Sequence, residues 1–198
     1  ANIGSISLPI AKMFPESKVY AIEPTNYAFK KLTKNLSLNK NLNNNISLNQ
    51  KFISKVNRPK KVWSSWNFIN KNKKHKKHFG SLKTIKKNSF ISIANFINLK
   101  KIKKVDFIKL DVDGHELDVL KSGERFIKNK KPVIFMEIAP YLYPEFGYEC
   151  SELIKYINKL GYSFYTDDVI KIIDIDNYIE KITHGSSKNF YLVRNQRT

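Results

Sequence analysis

Cysteine is almost absent: Cys150 stands alone among 198 residues. It cannot form an internal disulfide, which excludes a disulfide-stapled scaffold and suits a reducing compartment. Long apolar runs are missing as well. A membrane span needs roughly 20 consecutive apolar residues, and the longest candidates here, such as Val133–Met136, are strand-sized. No basic-then-apolar leader with a small-residue cleavage site opens the chain, so we expect a cytoplasmic protein. An initial methionine is also missing, and we expect a piece of a longer chain. Glycines number only 7, and none form the G-x-G-x-x-G of nicotinamide-dependent enzymes. Arginine is scarce too, at 4 against 32 lysines.

Lysine is what the chain has in excess, and it gives a net charge of +19. Such a charge points toward nucleic acid or an anionic surface. Two facts argue for a generic basic surface instead. Lysine accompanies 21 asparagines and 24 isoleucines, all residues of A/T-rich codons. A face selected for phosphate would lean on arginine, whose planar fork grips phosphate with two bonds.

The 41% hydrophobic content is enough for one domain with a sizeable core. Strand and helix patterns alternate without an internal repeat. Lys18–Ile22 reads as a strand ended by Glu23-Pro24. Thr25 or Asn26 can cap a helix with Phe29, Leu32 and Leu36 on one face. Ile46–Ile53 reads as a strand. Lys55–Gly80 reads as an irregular basic insertion holding Trp63, Trp66 and the run NKNKKHKKH. Ser92–Leu99 is a short helix. Val105–Val112 is a strand, Glu116–Lys128 a helix with Leu117, Leu120 and Ile127 inward, and Pro132–Ile138 a strand. Ser151–Leu160 is a helix stopped by Gly161. Two strands close the chain, around Val169–Ile175 and Asn189–Arg194. Apolar strands separated by helices imply an α/β sheet covered on both faces, with an antiparallel edge at its end.

In such a sheet, ligands bind beyond the carboxyl ends of the strands. Glu23, Asp111 and Glu137 fall at or near such ends. A carboxylate at the tip of a nucleotide-fold strand accepts two hydrogen bonds in a fixed direction, which suits ribose hydroxyls. The opening turn, Ala1-Asn2-Ile3-Gly4, has small residues that let a ligand approach backbone N–H groups.

ANIG at the start, YAIEP at Tyr20–Pro24, the helix ending in Asn35, FIKLDVDGHELDVLKSG from Phe107 to Gly123 and IFMEI at Ile134–Ile138 together resemble the FkbM family of S-adenosylmethionine-dependent methyltransferases. The resemblance runs over nearly the whole chain, in the same order. It implies a class I methyltransferase fold: a Rossmann-like three-layer sandwich with a mostly parallel seven-stranded sheet and an antiparallel last strand. Its cofactor is S-adenosylmethionine. By this likeness Asn2 and Gly4 flank the methionine part of the cofactor, Glu23 holds the ribose, Gln50 lies near the adenine edge, and Asp111 sits at the junction with the substrate. The family's first strand and its Asp-x-Gly lie upstream of ANIG, so an isolated fragment is expected to fold poorly. The family often has Glu where this chain has Asp113. Pro9 fits a helix only in its first turn.

His115 and Glu137 are the candidate bases for removing a proton from an acceptor hydroxyl. Each has a plainer reading, His115 as a loop residue at a helix start and Glu137 as a buried acid bonded to backbone. Asp113 can cap the next helix and Glu116 can complement its N-terminus, with Gly114 supplying the turn. DVDGHE opens like a calcium loop but lacks the distal bidentate Glu, and His115 has no second His four residues on, so no metal is expected. Trp63, Trp66, Tyr141 and Tyr143 are either an acceptor wall or packing. The leading expectation is O-methylation of a hydroxyl on a sugar, glycan or polyketide-like molecule. One alternative is a nucleic-acid methyltransferase that uses Lys73, Lys74, Lys76 and Lys77 as a substrate arm. Another is a non-catalytic binding protein.

Overall fold

The computed structural model describes residues 1–56, 60–64, 81–85 and 89–195. The chain forms two compact units, Ala1–Phe52 with Val56–Ile91, and Ile53–Lys55 with Ser92–Thr198.

The first unit opens with α1 (Ser7–Met13), β1 (Val19–Ile22), α2 (Asn26–Ser37), a 3-10 turn and β2 (Ile46–Asn49). β1 and β2 pair in parallel, from Val19↔Ile46 to Ile22↔Asn49. Pro9 lies in the first turn of α1, where its missing N–H costs no hydrogen bond. Leu32 and Leu36 of α2 pack with Ala11, Ala21, Leu42 and Ile46, while Phe29 lies half-buried beside them. Asn45 Nδ2 donates to Ala11 O at 2.8 Å and ties the turn before β2 to α1.

The strand expected over 46–53 is broken. It stops at Asn49, and the two-residue β3 (Phe52–Ile53) follows. The irregular insertion expected from Lys55 is corrected at its borders. β4 (Lys60–Ser64) and β5 (Ser81–Ile85) form an antiparallel ladder, followed by β6 (Phe90–Ile91). Phe52, Val62 and Ile85 bury together beside Phe90. The β4 signal was faint because Val62 is its one buried apolar residue. Trp66, the 70–78 basic run and its Lys73, Lys74, Lys76 and Lys77 lie outside the described residues.

The second unit holds α3 (Ile93–Leu99), β7 (Phe107–Leu110), α4 (Glu116–Ser122), α5 (Glu124–Lys130) and β8 (Val133–Ile138). Then come α6 (Cys150–Lys159), β9 (Tyr162–Tyr165), α7 (Ile175–Glu180) and β10 (Lys188–Arg194). Its sheet runs β7-β8-β10-β9. β7 and β8 are parallel, and β10 is antiparallel to both of its neighbours. Among the described residues this sheet has four strands, separate from the β1-β2 pair; the chain's last strand is antiparallel, as expected, and lies between β8 and β9.

β8 alternates strictly, with Ile134, Met136 and Ile138 at 0% exposure. That face packs on Leu117, Leu120, Leu153, Ile157, Phe190 and Leu192. The opposite face carries Lys109, Phe135, Glu137 and Tyr191 at paired positions.

Two further expectations are corrected. The single helix over 116–128 breaks at Gly123, whose N–H bonds Leu120 O at 3.1 Å in a tighter turn; Ile93 packs against its bare Cα, where a Cβ would lie 2.7 Å from Ile93 Cγ2. The strand around 169–175 is absent. Val169 has φ 62°, which no strand allows. An isolated bridge joins Tyr165 to Lys171, and the edge strand is β9. No helix among the described residues is long and apolar enough to cross a membrane.

Leu120 is 1% exposed in the larger core. Leu120→Ala is expected to cost about 2–5 kcal/mol, read as a lower urea midpoint. An unchanged midpoint would show that α4 does not seal this core.

Candidate active site

In the first unit, β1 ends at Ile22 and delivers Glu23 to the carboxyl end of a parallel pair. Glu23 N extends the ladder by donating to Asn49 O at 3.1 Å. The Glu23 side chain is 7% exposed. Its Oε2 accepts from Asn2 N at 2.8 Å and from the Ala1 ammonium at 3.5 Å. Its Oε1 accepts from Thr25 N at 2.9 Å and from Thr25 Oγ1 at 2.5 Å. Thr25 therefore spends its hydroxyl on Glu23 rather than on the N-terminus of α2.

The opening turn closes through Gly4 N to Ala1 O at 3.1 Å and is pinned from α2 by Asn35 Nδ2 donating to Ile3 O at 2.8 Å. Gly4 has φ +95°, and a Cβ there would meet Leu32 Cδ1 at 2.8 Å. Only glycine meets both demands. Asn2 Oδ1 is buried without a hydrogen-bond partner, an unmet acceptor of the kind a ligand donor satisfies. Gln50, one residue past β2, is exposed.

These residues fit an adenosyl ligand. Two backbone N–H groups fix the Glu23 carboxylate. Its other side-chain partner, the Thr25 hydroxyl, is one that a ribose hydroxyl can replace.

In the second unit, the register Leu110↔Met136 places Asp111 beside Glu137 at the next position. Asn189 pairs with Glu137 from the other side. Asp111, Asp113 and Glu137 have carboxylate oxygens all within 4.8 Å of one another. Lys109 Nζ lies 3.3 Å from Asp111 Oδ2 and donates to Asn189 Oδ1 at 3.1 Å. The cluster thus carries a cation of its own. Ser187 Oγ donates to Glu137 Oε1 at 2.6 Å.

Burial, and then the neighbouring Asp111 carboxylate, push the Glu137 carboxyl up to about 7. Desolvation and like charge both disfavour its ionised form. Tyr141 is raised by burial and then by the charge of Glu137, so the tyrosine borders the same group.

His115 lands elsewhere. It is 6% exposed, with its ring 4.3 Å from that of Phe146. It stands at the N-cap of α4 without a side-chain cap bond. Asp113 takes φ 48° in the turn before the helix. Glu116 is 2% exposed. Its Oε1 accepts from Val112 N at 3.2 Å, and its Oε2 is buried without a partner. Burial foremost pushes its carboxyl up to about 8. Tyr143, a candidate wall residue, is fully buried and packs in the core, whereas Trp63 lies half-buried in β4.

Sequence reasoning missed Lys109, Ser187 and Asn189. Reading FIKLD with a period of two puts Lys109 on the same face as Asp111, which was an available signal. Ser187 and Asn189 come into place only through the β8–β10 pairing.

The fold is that of α/β methyltransferases. The chain is similar in structure to the methyltransferase FkbM from Methylobacillus flagellatus KT, with a TM-score of 0.54 and 17% identity over 96% of this chain and 41% of that one. It is also similar to precorrin-6y C5,15-methyltransferase from Geobacter metallireducens GS-15, with a TM-score of 0.50 and 12% identity over 98% of this chain and 76% of that one. No curated protein matches it. The chain matches the methyltransferase FkbM domain over residues 1–164 and belongs to that family. It spans 41% of the length of the Methylobacillus structure.

Proposed function

We propose that the protein transfers a methyl group from S-adenosylmethionine to a hydroxyl of a sugar, glycan or polyketide-like acceptor. The observation that carries this reading is the Glu137 carboxyl, half-buried beside Asp111 and raised to about 7. A general base works best when its pKa lies near the working pH. The cofactor, when bound, supplies a methyl group already activated by its sulfonium.

The chain's residues do the rest. Glu23 accepts the ribose hydroxyls, and Asn2 Oδ1 accepts a donor from the same ligand. Gln50 borders the adenine, and Gly4 keeps the turn free of a side chain. Asp111 is the carboxylate we assign to the methyl end, where its charge would favour a cationic centre. Glu137 takes the proton that the acceptor hydroxyl gives up. His115 was the other candidate base. Its burial against Phe146 supports a packing role and leaves Glu137 as the better assignment. The reaction belongs in the cytoplasm, where the one free, buried cysteine, Cys150, stays reduced.

The test is calorimetry of S-adenosylmethionine binding. Glu23→Ala is expected to weaken affinity about 10- to 100-fold, the worth of a hydrogen bond to a charged group. Asp111→Ala is expected to weaken it as well. Unchanged affinity in both variants would defeat the assignments.

A further inference from the structure

The segment from Ala139 to Tyr148 leaves the end of β8 and returns to the turn that carries Asp113. Its contacts form a continuous chain. Ala139 N, two residues past Glu137, donates to the Tyr143 hydroxyl at 3.2 Å. The Tyr143 ring stacks on that of Tyr148, with centroids 4.9 Å apart. The Tyr148 hydroxyl donates to Gly114 O at 2.9 Å, next to Asp113. Beside this run, the Phe146 ring fills the space where a side chain on Gly114 would stand. A Cβ there would lie 2.3 Å from Phe146 Cε2. The other side of the Phe146 ring contact is His115.

The Asp113 turn needs such a restraint. Asp113 and Gly114 both have positive φ, 48° and 96°. For a non-glycine residue that conformation persists only where the surroundings enforce it. The turn also holds carboxylates within 4.8 Å of Glu137, where mutual repulsion pushes them apart.

We infer that the Ala139–Tyr148 segment is a latch that holds the Asp113 turn against the end of β8, with Tyr148 and Phe146 as positioning residues that fix the carboxylate spacing around Glu137. Its catalytic meaning rests on Glu137 being the base, but the latch itself is readable without activity.

Glu137 is faced by Asp111 and Lys109 from the β7 side, by Asp113 from the turn, by Tyr141 from the segment itself, and by Ser187 and Asn189 from the β10 side. Loosening the latch moves Asp113 away and admits water. Both changes favour the ionised form of Glu137, so its titration midpoint falls.

The experiment is a 13C-NMR titration of the full chain labelled at glutamate carboxyls, with the Glu137 signal identified by its loss in Glu137→Gln. In Tyr148→Phe, which removes one hydroxyl, and in Phe146→Ala, the midpoint is expected to drop below its wild-type value of about 7, chiefly because water reaches the carboxyl and in part because Asp113 moves away. Leu120→Ala serves as the control: it destabilises the core and leaves the midpoint in place. A Glu137 curve unmoved in both folded latch variants overturns the latch, whatever the activity. If the curve moves but Glu137→Gln still methylates a sugar hydroxyl at the wild-type rate, the base assignment falls and the latch stands. A wild-type chain whose Glu137 already titrates near 4.5 overturns both.

Discussion

Replacing Glu116 by glutamine is expected to leave the chain about as stable as wild type at pH 4 and to make it more stable by about 5 kcal/mol at pH 9. The Glu116 carboxyl is 2% exposed; its Oε1 accepts from Val112 N, and its own backbone N–H also eases its charge. Burial, joined by the charges of Asp113 and Asp111, raises it from 4.5 to about 8. Each pH unit between those values is worth 1.36 kcal/mol, which gives about 5 kcal/mol in all. The sign follows from which state holds the proton. Below 4.5 the folded and unfolded chains are both protonated there, and the residue costs nothing. Between 4.5 and about 8 the unfolded chain loses the proton and the folded chain keeps it, so stability falls as pH rises. Above about 8 both are ionised and the full cost remains.

Glutamine keeps the acceptor for Val112 N and never ionises. Its amide, like the protonated acid, buries one polar atom without a partner, so the two match in acid. Urea midpoints from pH 4 to 9 would show the curves diverging upward, and parallel curves would sink the claim. Since domains have only about 5–15 kcal/mol in hand, the wild-type chain is expected to loosen in mild alkali.

The same residue shows where sequence reading stops. Glu116 reads as an acid placed for the macrodipole of a new helix, since local pattern contains nothing about what lies over a helix start. The Glu116 charge is felt by Tyr143, Tyr148 and Cys150, about 30 positions further on, and no local pattern foretells neighbours so distant in sequence. Elements whose signal is local were legible within a residue. β1, β8 and α6 each announce themselves by apolar spacing that tertiary packing does not override. The break at Gly123 was not legible in the helical spacing, and neither was the β-branched Val169 in a left-handed turn. In the site, the carboxylates at strand ends could be named from sequence. That Asp111 and Glu137 stand side by side required the β7–β8 register, and that Glu23 is held by Asn2 and Thr25 required the fold of the opening turn.

Glu137→Gln is expected to lower methyl transfer about 10²- to 10⁴-fold, the usual worth of a general base, while S-adenosylmethionine binds as before. Glutamine has the shape of the acid and still accepts from Ser187 Oγ, so the pocket and the acceptor KM change little. What goes is the capacity to take a proton. In the wild-type enzyme, activity should rise through an acid limb near pH 7, where Glu137 ionises, and level off above it. The glutamine variant should lose that limb and retain only the rate that alignment of the two reactants provides. Tritiated methyl transfer to whichever sugar hydroxyl the wild-type chain accepts, measured from pH 5 to 9, reads both quantities. His115→Gln is the decisive companion. With its ring against Phe146 at 4.3 Å and 6% exposed, His115 should cost stability and spare the pH profile. A His115→Gln enzyme that folds but loses the limb, beside a Glu137→Gln enzyme that keeps it, would transfer the proton to the imidazole and require the Asp113 turn to open during turnover.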